Sequence, residues 1–268
     1  MALIGSIIGD IIGSQYEFPY MRPNDLDWKN CELLTDNCMF TDDTVMSIAT
    51  KVAIDMRGWD DIDFAGMYRK FGNDYLECGY GDMFENWITH QNAKPYQSYG
   101  NGSAMRVSYV ADVNDTIYNA QQMAYESAIC THDSFGGIRG AVTTAVVSVM
   151  AKQGCTKPEI YSLVNNVYKG SIYDCSESLE ELRKRYRWSE ICDGTVPVAV
   201  RCFLESEDYE SCIRNCLSLP CDMDTMCCIA GGIAESFYGT TGMDNEYILK
   251  KYLDEYLYSC IEDIIERR

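Results

Sequence analysis

Basic side chains are scarce in this sequence of 268 residues, which has 22 lysines and arginines against 41 aspartates and glutamates. The formal net charge is −19. A surface of that sign repels the phosphates of nucleic acids and of anionic lipids. The composition therefore disfavours a nucleic-acid partner and an anionic membrane partner.

Long hydrophobic runs are also missing. The two most apolar stretches, residues 1–13 and 141–151, are shorter than the roughly 20 residues that a membrane-spanning helix needs. The N-terminal stretch has no basic segment before it and is interrupted by Asp10, so it does not resemble a secretory signal. We therefore expect a cytoplasmic protein that does not enter a membrane.

Histidine is rare, and paired metal-binding cysteines are absent. The two histidines are His90 and His132, and none of the 14 cysteines belongs to a C-x-x-C pair of the kind that structural zinc sites use. Cys212 and Cys216 are one helical turn apart, but this spacing alone does not make a zinc site. In the absence of a secretory signal, we expect reduced and mostly buried thiols.

The residues that are present predict a globular, helical protein. Hydrophobic residues make up 47% and aromatic residues 12%, and no linker, repeat or low-complexity segment divides the chain, which predicts a single domain over residues 1–268. Alternating strand patterns are scarce, whereas apolar residues recur at helical spacing. The predicted helices are Leu3–Ser14, Thr44–Met56, Ile62–Phe71, Thr116–Cys130, Gly137–Lys152, Lys157–Tyr168, Leu179–Arg187, Val196–Leu204, Asp208–Leu217, Thr225–Tyr238 and Glu246–Ser259. The predicted fold class is all-α, a compact orthogonal bundle.

The first predicted helix has two unusual features. Gly5, Gly9 and Gly13 recur every four residues and form a smooth stripe that another helix can approach closely. Asp10 lies inside the same apolar helix, where a carboxylate is costly unless it is hydrogen-bonded, paired or bound to a cation. A structural aspartate with satisfied hydrogen bonds is the plainer interpretation.

Two short acidic segments each stand directly before a predicted helix. The first is the segment Phe40-Thr41-Asp42-Asp43-Thr44, whose residues Thr41-Asp42-Asp43 we call the first acidic corner. The second acidic corner is Asp222-Met223-Asp224-Thr225. Such residues commonly cap a helix, which is the alternative interpretation. They also make the hard oxygen set that Mg²⁺, Mn²⁺ and Ca²⁺ prefer. If the fold brings the two corners together, their carboxylates and hydroxyls are sufficient to hold two cations.

A segment from Tyr96 to Arg106 follows in the middle of the chain, and it contains the glycine-rich turn Ser98-Tyr99-Gly100-Asn101-Gly102. Its backbone N–H groups can face outward at the start of a helix and bind phosphate oxygens. The turn lacks the lysine of a nucleotide-binding P-loop, which disfavours a nucleoside triphosphatase. An ordinary turn is the alternative.

Two single residues complete the candidate set. His132, in the segment Thr131-His132-Asp133-Ser134, can orient a substrate hydroxyl or phosphate. Glu17 lies just past the glycine helix, where a loop carboxylate near cations can act as a base. Taken alone, each is more simply a structural or solvated residue.

In their order along the chain, these motifs resemble the ADP-ribosylglycohydrolase family. The resemblance rests on G-D-x-x-G-x-x-x-E, F-T-D-D-T, S-Y-G-N-G-S-A-M-R-V, T-H and D-x-D-T, and it runs from Leu3 to about Gly239. Residues 193–197 and 229–234 also look like family segments. The resemblance implies an all-helical fold with a binuclear magnesium site, where manganese is also acceptable.

The resemblance also implies roles for individual residues. The implied metal ligands are Thr41, Asp42, Asp43, Asp222, Asp224 and Thr225. Glu17 matches a loop glutamate that acts on the nucleophilic water, and it is expected to be catalytic together with Asp42 and Asp43. The implied substrate-binding residues are Ser98, Tyr99, Gly100, Asn101, Gly102 and His132. One departure stands out, because Pro220-Cys221 replaces the usual Gly-Gly before the second acidic corner and restricts its backbone.

The expected function is metal-dependent hydrolysis of the glycosidic bond between ADP-ribose and a modified target. The target linkage stays open: arginine, serine, another side chain, a small conjugate or a modified nucleic-acid end. Alternatives are a catalytically weak ADP-ribose receptor, a crystallin-like structural protein, and a different metal-dependent hydrolase of phosphate esters. The sequence does not determine the oligomeric state.

Overall fold

The computed structural model describes residues 1–18, 20–57 and 62–266, and every regular element within them is a helix. The helices are α1 Leu3–Ser14, α2 Asp42–Asp55, α3 Phe64–Asp74, α4 Asp82–Thr89, α5 Gly102–Met105, α6 Ser108–Val113, α7 Ile117–Ile129, α8 Phe135–Lys152, α9 Lys157–Val167, α10 Leu179–Arg185, α11 Cys192–Leu204, α12 Tyr209–Leu217, α13 Met223–Tyr238, α14 Asn245–Tyr252, α15 Glu255–Ser259 and α16 Glu262–Ile265. The all-α prediction is confirmed.

The boundaries differ from the prediction where short side chains cap the helices. Helix α1 has the predicted bounds, but the predicted helix over residues 246–259 is two helices, because Asp254 accepts a hydrogen bond from the N–H of Leu257 at 2.8 Å and starts α15. Helix α11 begins at Cys192, one turn before the predicted Val196. Helices α4, α5, α6 and α16 are absent from the prediction, because one or two turns show no apolar period.

Helices α2 and α13 begin two residues earlier than predicted, at Asp42 and Met223. The side chain of Thr41 accepts a hydrogen bond from the N–H of Asp43 at 3.2 Å, as an N-cap residue does. Most of each acidic corner therefore lies in the first turn of a helix. Because the N-terminus of a helix carries partial positive charge, both helices favour the carboxylates placed there.

Helix α1 is buried along its whole length and packs against α13. A Cβ atom at Gly5 would lie 2.6 Å from the carbonyl oxygen of Gly231, and one at Gly9 would overlap the carbonyl of Cys227. The predicted close approach of a second helix to the glycine stripe is confirmed, and α13 is that helix. Gly13 lies against the backbone of Asp224, so the end of α1 meets the start of α13.

Helices α8, α11 and α12 pack around α13, and buried apolar side chains from Ala2 to Ile264 form one cluster. The longest helix in the described ranges is α8, with 18 residues, and none of the helices there is long and apolar enough to cross a membrane. The packing leaves the starting turns of α2, α5 and α13 at the same end of the bundle, where the site lies.

The cysteines are free thiols, and most are buried. The thiol of Cys212 donates to the carbonyl of Ala230 at 3.6 Å, and that of Cys216 donates to the carbonyl of Met226 at 3.8 Å. These thiols fill space between α12 and α13 as small core side chains do.

Candidate active site

The two acidic corners meet at the N-terminal ends of α2 and α13. One carboxylate oxygen from each of Asp42, Asp43 and Asp224 lies within 4.8 Å of the other two. The hydroxyl of Thr225 donates to Oδ2 of Asp43 at 3.0 Å, which joins segments that are 182 residues apart. The juxtaposition that the sequence analysis made conditional on the fold is therefore present.

The donor atoms at this junction fit divalent cations. Oδ1 of Asp43 and Oδ1 of Asp224 are buried and have no hydrogen-bond partner. A buried carboxylate oxygen without a partner is costly in a protein, and a cation removes that cost. All the surrounding donors are carboxylate or hydroxyl oxygens, the ligands that magnesium and manganese prefer.

The remaining predicted ligands differ in their surroundings. Oδ2 of Asp222 accepts a hydrogen bond from the side-chain amide of Asn101 at 2.8 Å and lines the same cavity. Thr41 is buried, and its hydroxyl donates to Oδ1 of Asp10 at 2.7 Å. Unlike the other five predicted ligands, Thr41 is absent from the lining of the cavity.

Crowding of these carboxylates raises their pKa values. Burial is the largest cause and repulsion from Asp224 the second, and together they raise the pKa values of Asp42, Asp43 and Asp222 well above the usual range. The same two causes raise the pKa of Glu17 to about 8. Positive charge among these groups would reverse the effect, because it stabilises the ionised form.

This crowding predicts how the stability of the metal-free protein depends on pH. Carboxylates whose pKa is raised on folding bind protons more tightly in the folded state, so stability falls as pH rises toward the folded pKa. We expect the free energy of unfolding in EDTA to fall by at least about 1 kcal/mol between pH 6.5 and 8.5. Urea denaturation at constant ionic strength measures it.

Two controls isolate the cause. Asp42→Asn removes one of the repelling charges and should flatten the pH dependence, and added Mg²⁺ should stabilise the protein more at pH 8.5 than at pH 6.5. The pKa of His132 is lowered in the folded protein, which makes stability rise with pH. This opposite effect operates only below about pH 6.5, the pKa of histidine in an unfolded chain. A stability that is constant or rises with pH in EDTA would contradict this account.

Asp10 finds its partners in the first turn of α2. Its carboxylate accepts hydrogen bonds from the N–H of Thr41 at 3.0 Å, the N–H of Thr44 at 3.1 Å, and both threonine hydroxyls. The interpretation of Asp10 as a hydrogen-bonded structural aspartate is confirmed. The contact between Asp10 and the first acidic corner was not predicted. The one sequence signal for it was a charged residue inside an apolar helix.

A cavity of about 670 Å³ opens above the carboxylates. Apart from Thr41, all the predicted site residues line it. Residues that were not predicted also line it, among them Phe18, Asp82, Arg106 and Glu190. Arg106 belongs to the family-like segment S-Y-G-N-G-S-A-M-R-V, and this was the only sequence signal for any of these four residues.

Glu17 lies three residues past the end of α1 and is half-buried. A Cβ atom at Gly79 would lie 3.7 Å from Oε1 of Glu17 and 3.8 Å from Oδ1 of Asp42, so the two carboxylates flank this glycine. Gly79 has a φ of +96°, a conformation that residues with a Cβ rarely adopt. The loop containing Gly79 thus approaches both carboxylates closely.

The glycine-rich turn is held against the second acidic corner and the loop before α11. The N–H of Asn101 donates to the carbonyl of Glu190 at 2.8 Å, while its side chain holds Asp222. Helix α5 begins at Gly102, and the first N–H groups of a helix have no acceptor within it. The N–H of Gly100 donates to Oγ of Ser98 at 3.0 Å, so the backbone donors that the turn can present to the cavity begin at Gly102. Tyr99 is 58% exposed, so its ring is available for contact with a ligand.

His132 lies behind this turn and is buried. Its Nε2 would be 3.4 Å from a Cβ atom at either Gly100 or Gly102, so the imidazole packs against both glycines, and it lines the cavity with them. Burial, followed by the positive charge of Arg106, lowers the pKa of His132 well below its usual value. The imidazole is therefore neutral, with Nδ1 bonded to the hydroxyl of Thr131 at 2.7 Å.

Pro220 and Cys221 replace the expected glycines without moving the second acidic corner out of the site. The thiol of Cys221 is buried and lies 3.6 Å from the sulfur of Met223. The next residue, Asp222, has extended backbone (φ −66°, ψ 96°) at the start of α13 and still reaches Asn101. The same thiol donates to the carbonyl of Cys216 at 3.8 Å, so this segment packs against the end of α12.

The fold and the site define an all-helical protein with an oxygen-donor centre suited to divalent cations at the floor of a cavity. The sequence model of the ADP-ribosylglycohydrolase family matches residues 1–268. The chain therefore belongs to the ADP-ribosylglycohydrolase family, hydrolases that act on glycosidic bonds of ADP-ribose.

Individual relatives support this membership. The ADP-ribosylhydrolase ARH3 of Bos taurus is 26% identical over 310 residues, covering 88% of this chain and 84% of its own. The ARH3 of Homo sapiens is 25% identical with the same coverage. A solved structure titled "ADP-ribosylglycohydrolase-related protein complex" covers 97% of this chain and 93% of its own, with a TM-score of 0.70 at 19% identity, which shows a shared fold.

Proposed function

We propose that this protein is a divalent-cation-dependent hydrolase that cleaves the glycosidic bond between ADP-ribose and a modified target, releasing ADP-ribose. The observation that carries the proposal is the convergence of Asp42, Asp43 and Asp224 at the floor of the cavity, with two carboxylate oxygens lacking partners. The family match and the ARH3 relatives support ADP-ribose as the ligand.

Two cations, Mg²⁺ with Mn²⁺ as an acceptable substitute, would be held by the two acidic corners. The proposed ligands are Thr41, Asp42, Asp43, Asp222, Asp224 and Thr225. When bound, divalent cations supply positive charge that neutralises the carboxylates and binds sugar hydroxyls. Among the described residues that line the cavity, seven are acidic and one, Arg106, is cationic, so an anionic ligand needs this neutralisation.

The glycine-rich turn is the proposed site for the diphosphate. Gly100 and Gly102 line the cavity without side chains, which leaves room for an anion beside the backbone N–H at the start of α5. We infer that the Thr131 hydroxyl, which accepts from Arg106 at 3.0 Å, gives its own proton to Nδ1 of His132. Nε2 of His132 is then a donor directed toward the ligand.

Glu17 is the proposed general base. Its carboxylate and that of Asp42 flank Gly79, and both residues line the cavity, where the proposal places the attacking water. Glu17 accepts a proton from that water as the water oxygen bonds to the anomeric carbon and the bond to the target breaks. The electron pair of the broken bond leaves with the target, which takes up a proton.

The test is a panel of defined conjugates, with ADP-ribose attached to arginine, to serine or to a small acyl group. We expect at least one of them to release free ADP-ribose with Mg²⁺ or Mn²⁺, and EDTA to reduce that rate by about 10³-fold or more. Restoring the cation should restore the rate. Tight ADP-ribose binding without release from any conjugate would favour the receptor alternative, and release unaffected by EDTA would refute the role of the cations.

A further inference from the structure

A buried carboxylate behind the first acidic corner holds that corner in place. Asp10 accepts from Thr41 through its N–H at 3.0 Å and its hydroxyl at 2.7 Å. It accepts from Thr44 through its N–H at 3.1 Å and also through its hydroxyl. Asp10 itself is fully buried and absent from the cavity lining, so it acts on a ligand only through these partners.

The hydrogen bond that the Thr41 hydroxyl donates to Asp10 determines how this hydroxyl is oriented. A threonine hydroxyl has one proton and two lone pairs. Thr41 gives its proton to Asp10 and uses one lone pair to accept from the N–H of Asp43 at 3.2 Å. One lone pair is left, and a lone pair, not a proton, is what a cation requires of a hydroxyl ligand.

The same carboxylate fixes the directions of Asp42 and Asp43. Asp10 holds the backbone on both sides of them, at Thr41 and Thr44, while the N–H of Asp42 donates to the carbonyl of Cys78 at 2.9 Å. The first turn of α2 is thus held from two sides. We propose that Asp10 is a positioning residue, which sets the cation affinity of the site by orienting the Thr41 hydroxyl and the Asp42 and Asp43 carboxylates. This inference rests on the proposed function.

The chain contains a matched control. Asp112 is a carboxylate on α6 that accepts from the N–H of Ala2 at 2.5 Å and from the N–H of Leu3 at 3.0 Å, and so caps α1. It does for α1 what Asp10 does for α2, but it does not line the cavity or touch either acidic corner. Replacing Asp112 therefore measures the effect of losing a helix-capping carboxylate alone.

The experiment compares Asp10→Asn with Asp112→Asn in the full chain. Both variants should lower the urea midpoint. Asp10→Asn should weaken Mn²⁺ binding, measured by electron paramagnetic resonance and titration calorimetry, by about tenfold or more, as loss of a residue that orients metal ligands does. Asp112→Asn should bind Mn²⁺ as the wild type does. Wild-type Mn²⁺ affinity in Asp10→Asn, or an equal loss in Asp112→Asn, would overturn the proposal.

If Asp10→Asn does not fold, two milder variants at Thr44 test the same proposal. Thr44→Val removes only the hydroxyl that donates to Asp10, and Thr44→Ser keeps it. We expect weaker Mn²⁺ binding in the valine variant and wild-type binding in the serine variant; equal affinities in the two would overturn the proposal. A wild-type protein that binds no Mn²⁺ would instead refute the cation dependence in the proposed function.

Discussion

Asp42→Asn should abolish release of ADP-ribose and, at the same time, stabilise the metal-free protein. Asp42 provides one of three carboxylate oxygens that lie within 4.8 Å of one another. Losing a ligand removes cation binding and with it several kcal/mol of transition-state stabilisation, so we expect the rate to fall by about 10³-fold or more.

The gain in stability follows from the electrostatics of the site. Burial and the repulsion from the Asp224 carboxylate both disfavour the negative charge on Asp42. Asparagine has nearly the same shape as aspartate and lacks that charge. We expect the free energy of unfolding in EDTA at pH 8 to rise by about 1 kcal/mol. Urea denaturation and release of ADP-ribose, measured on the same preparation, test both effects.

The control is Asp36→Asn, which removes a carboxylate whose side chain is 97% exposed and whose partner is Lys251. An exposed ion pair contributes little, so neither stability nor rate should change measurably. An Asp42→Asn protein that turns over at the wild-type rate would exclude the acidic corners as the catalytic centre.

Glu17→Gln should lower the rate of the chemical step while ADP-ribose still binds. Glutamine has the shape of Glu17 but cannot accept a proton from water at neutral pH, and loss of a general base costs about 10²–10⁴-fold in rate. The diphosphate and ribose contacts proposed for ADP-ribose do not depend on Glu17. Single-turnover release from a conjugate, with calorimetric titration of ADP-ribose in the presence of Mg²⁺, separates these two effects.

Glu77→Gln provides the comparison, because Glu77 is an exposed carboxylate close in sequence to Gly79 that does not line the cavity. We expect it to react at the wild-type rate. If Glu17→Gln also does so, the base must be another group, and if Glu17→Gln loses ADP-ribose binding, the role of Glu17 is in binding instead.

The glycine stripe shows how far local sequence determines this fold. Gly5, Gly9 and Gly13 share one face of a helix by spacing alone, and a face without side chains predicts a close neighbour. That α13 is the neighbour could not be predicted, because helix pairing depends on which surfaces of the whole chain fit together. The break between α14 and α15 at Asp254 was not predicted. An aspartate inside a helical pattern is compatible with a continuous helix, and it acts as a cap only where the chain turns.

The sequence by itself determined the helical class of the protein, the family to which it belongs, and the chemical type of its candidate ligands, because spacing and residue chemistry are local properties. Only the tertiary structure decided that Asp43 and Thr225 meet, that Asp10 holds the first turn of α2, and that His132 lies behind the glycine-rich turn. These contacts join residues far apart in the chain. They form because burying the apolar faces of α1 and α13 against each other brings the polar helix ends together.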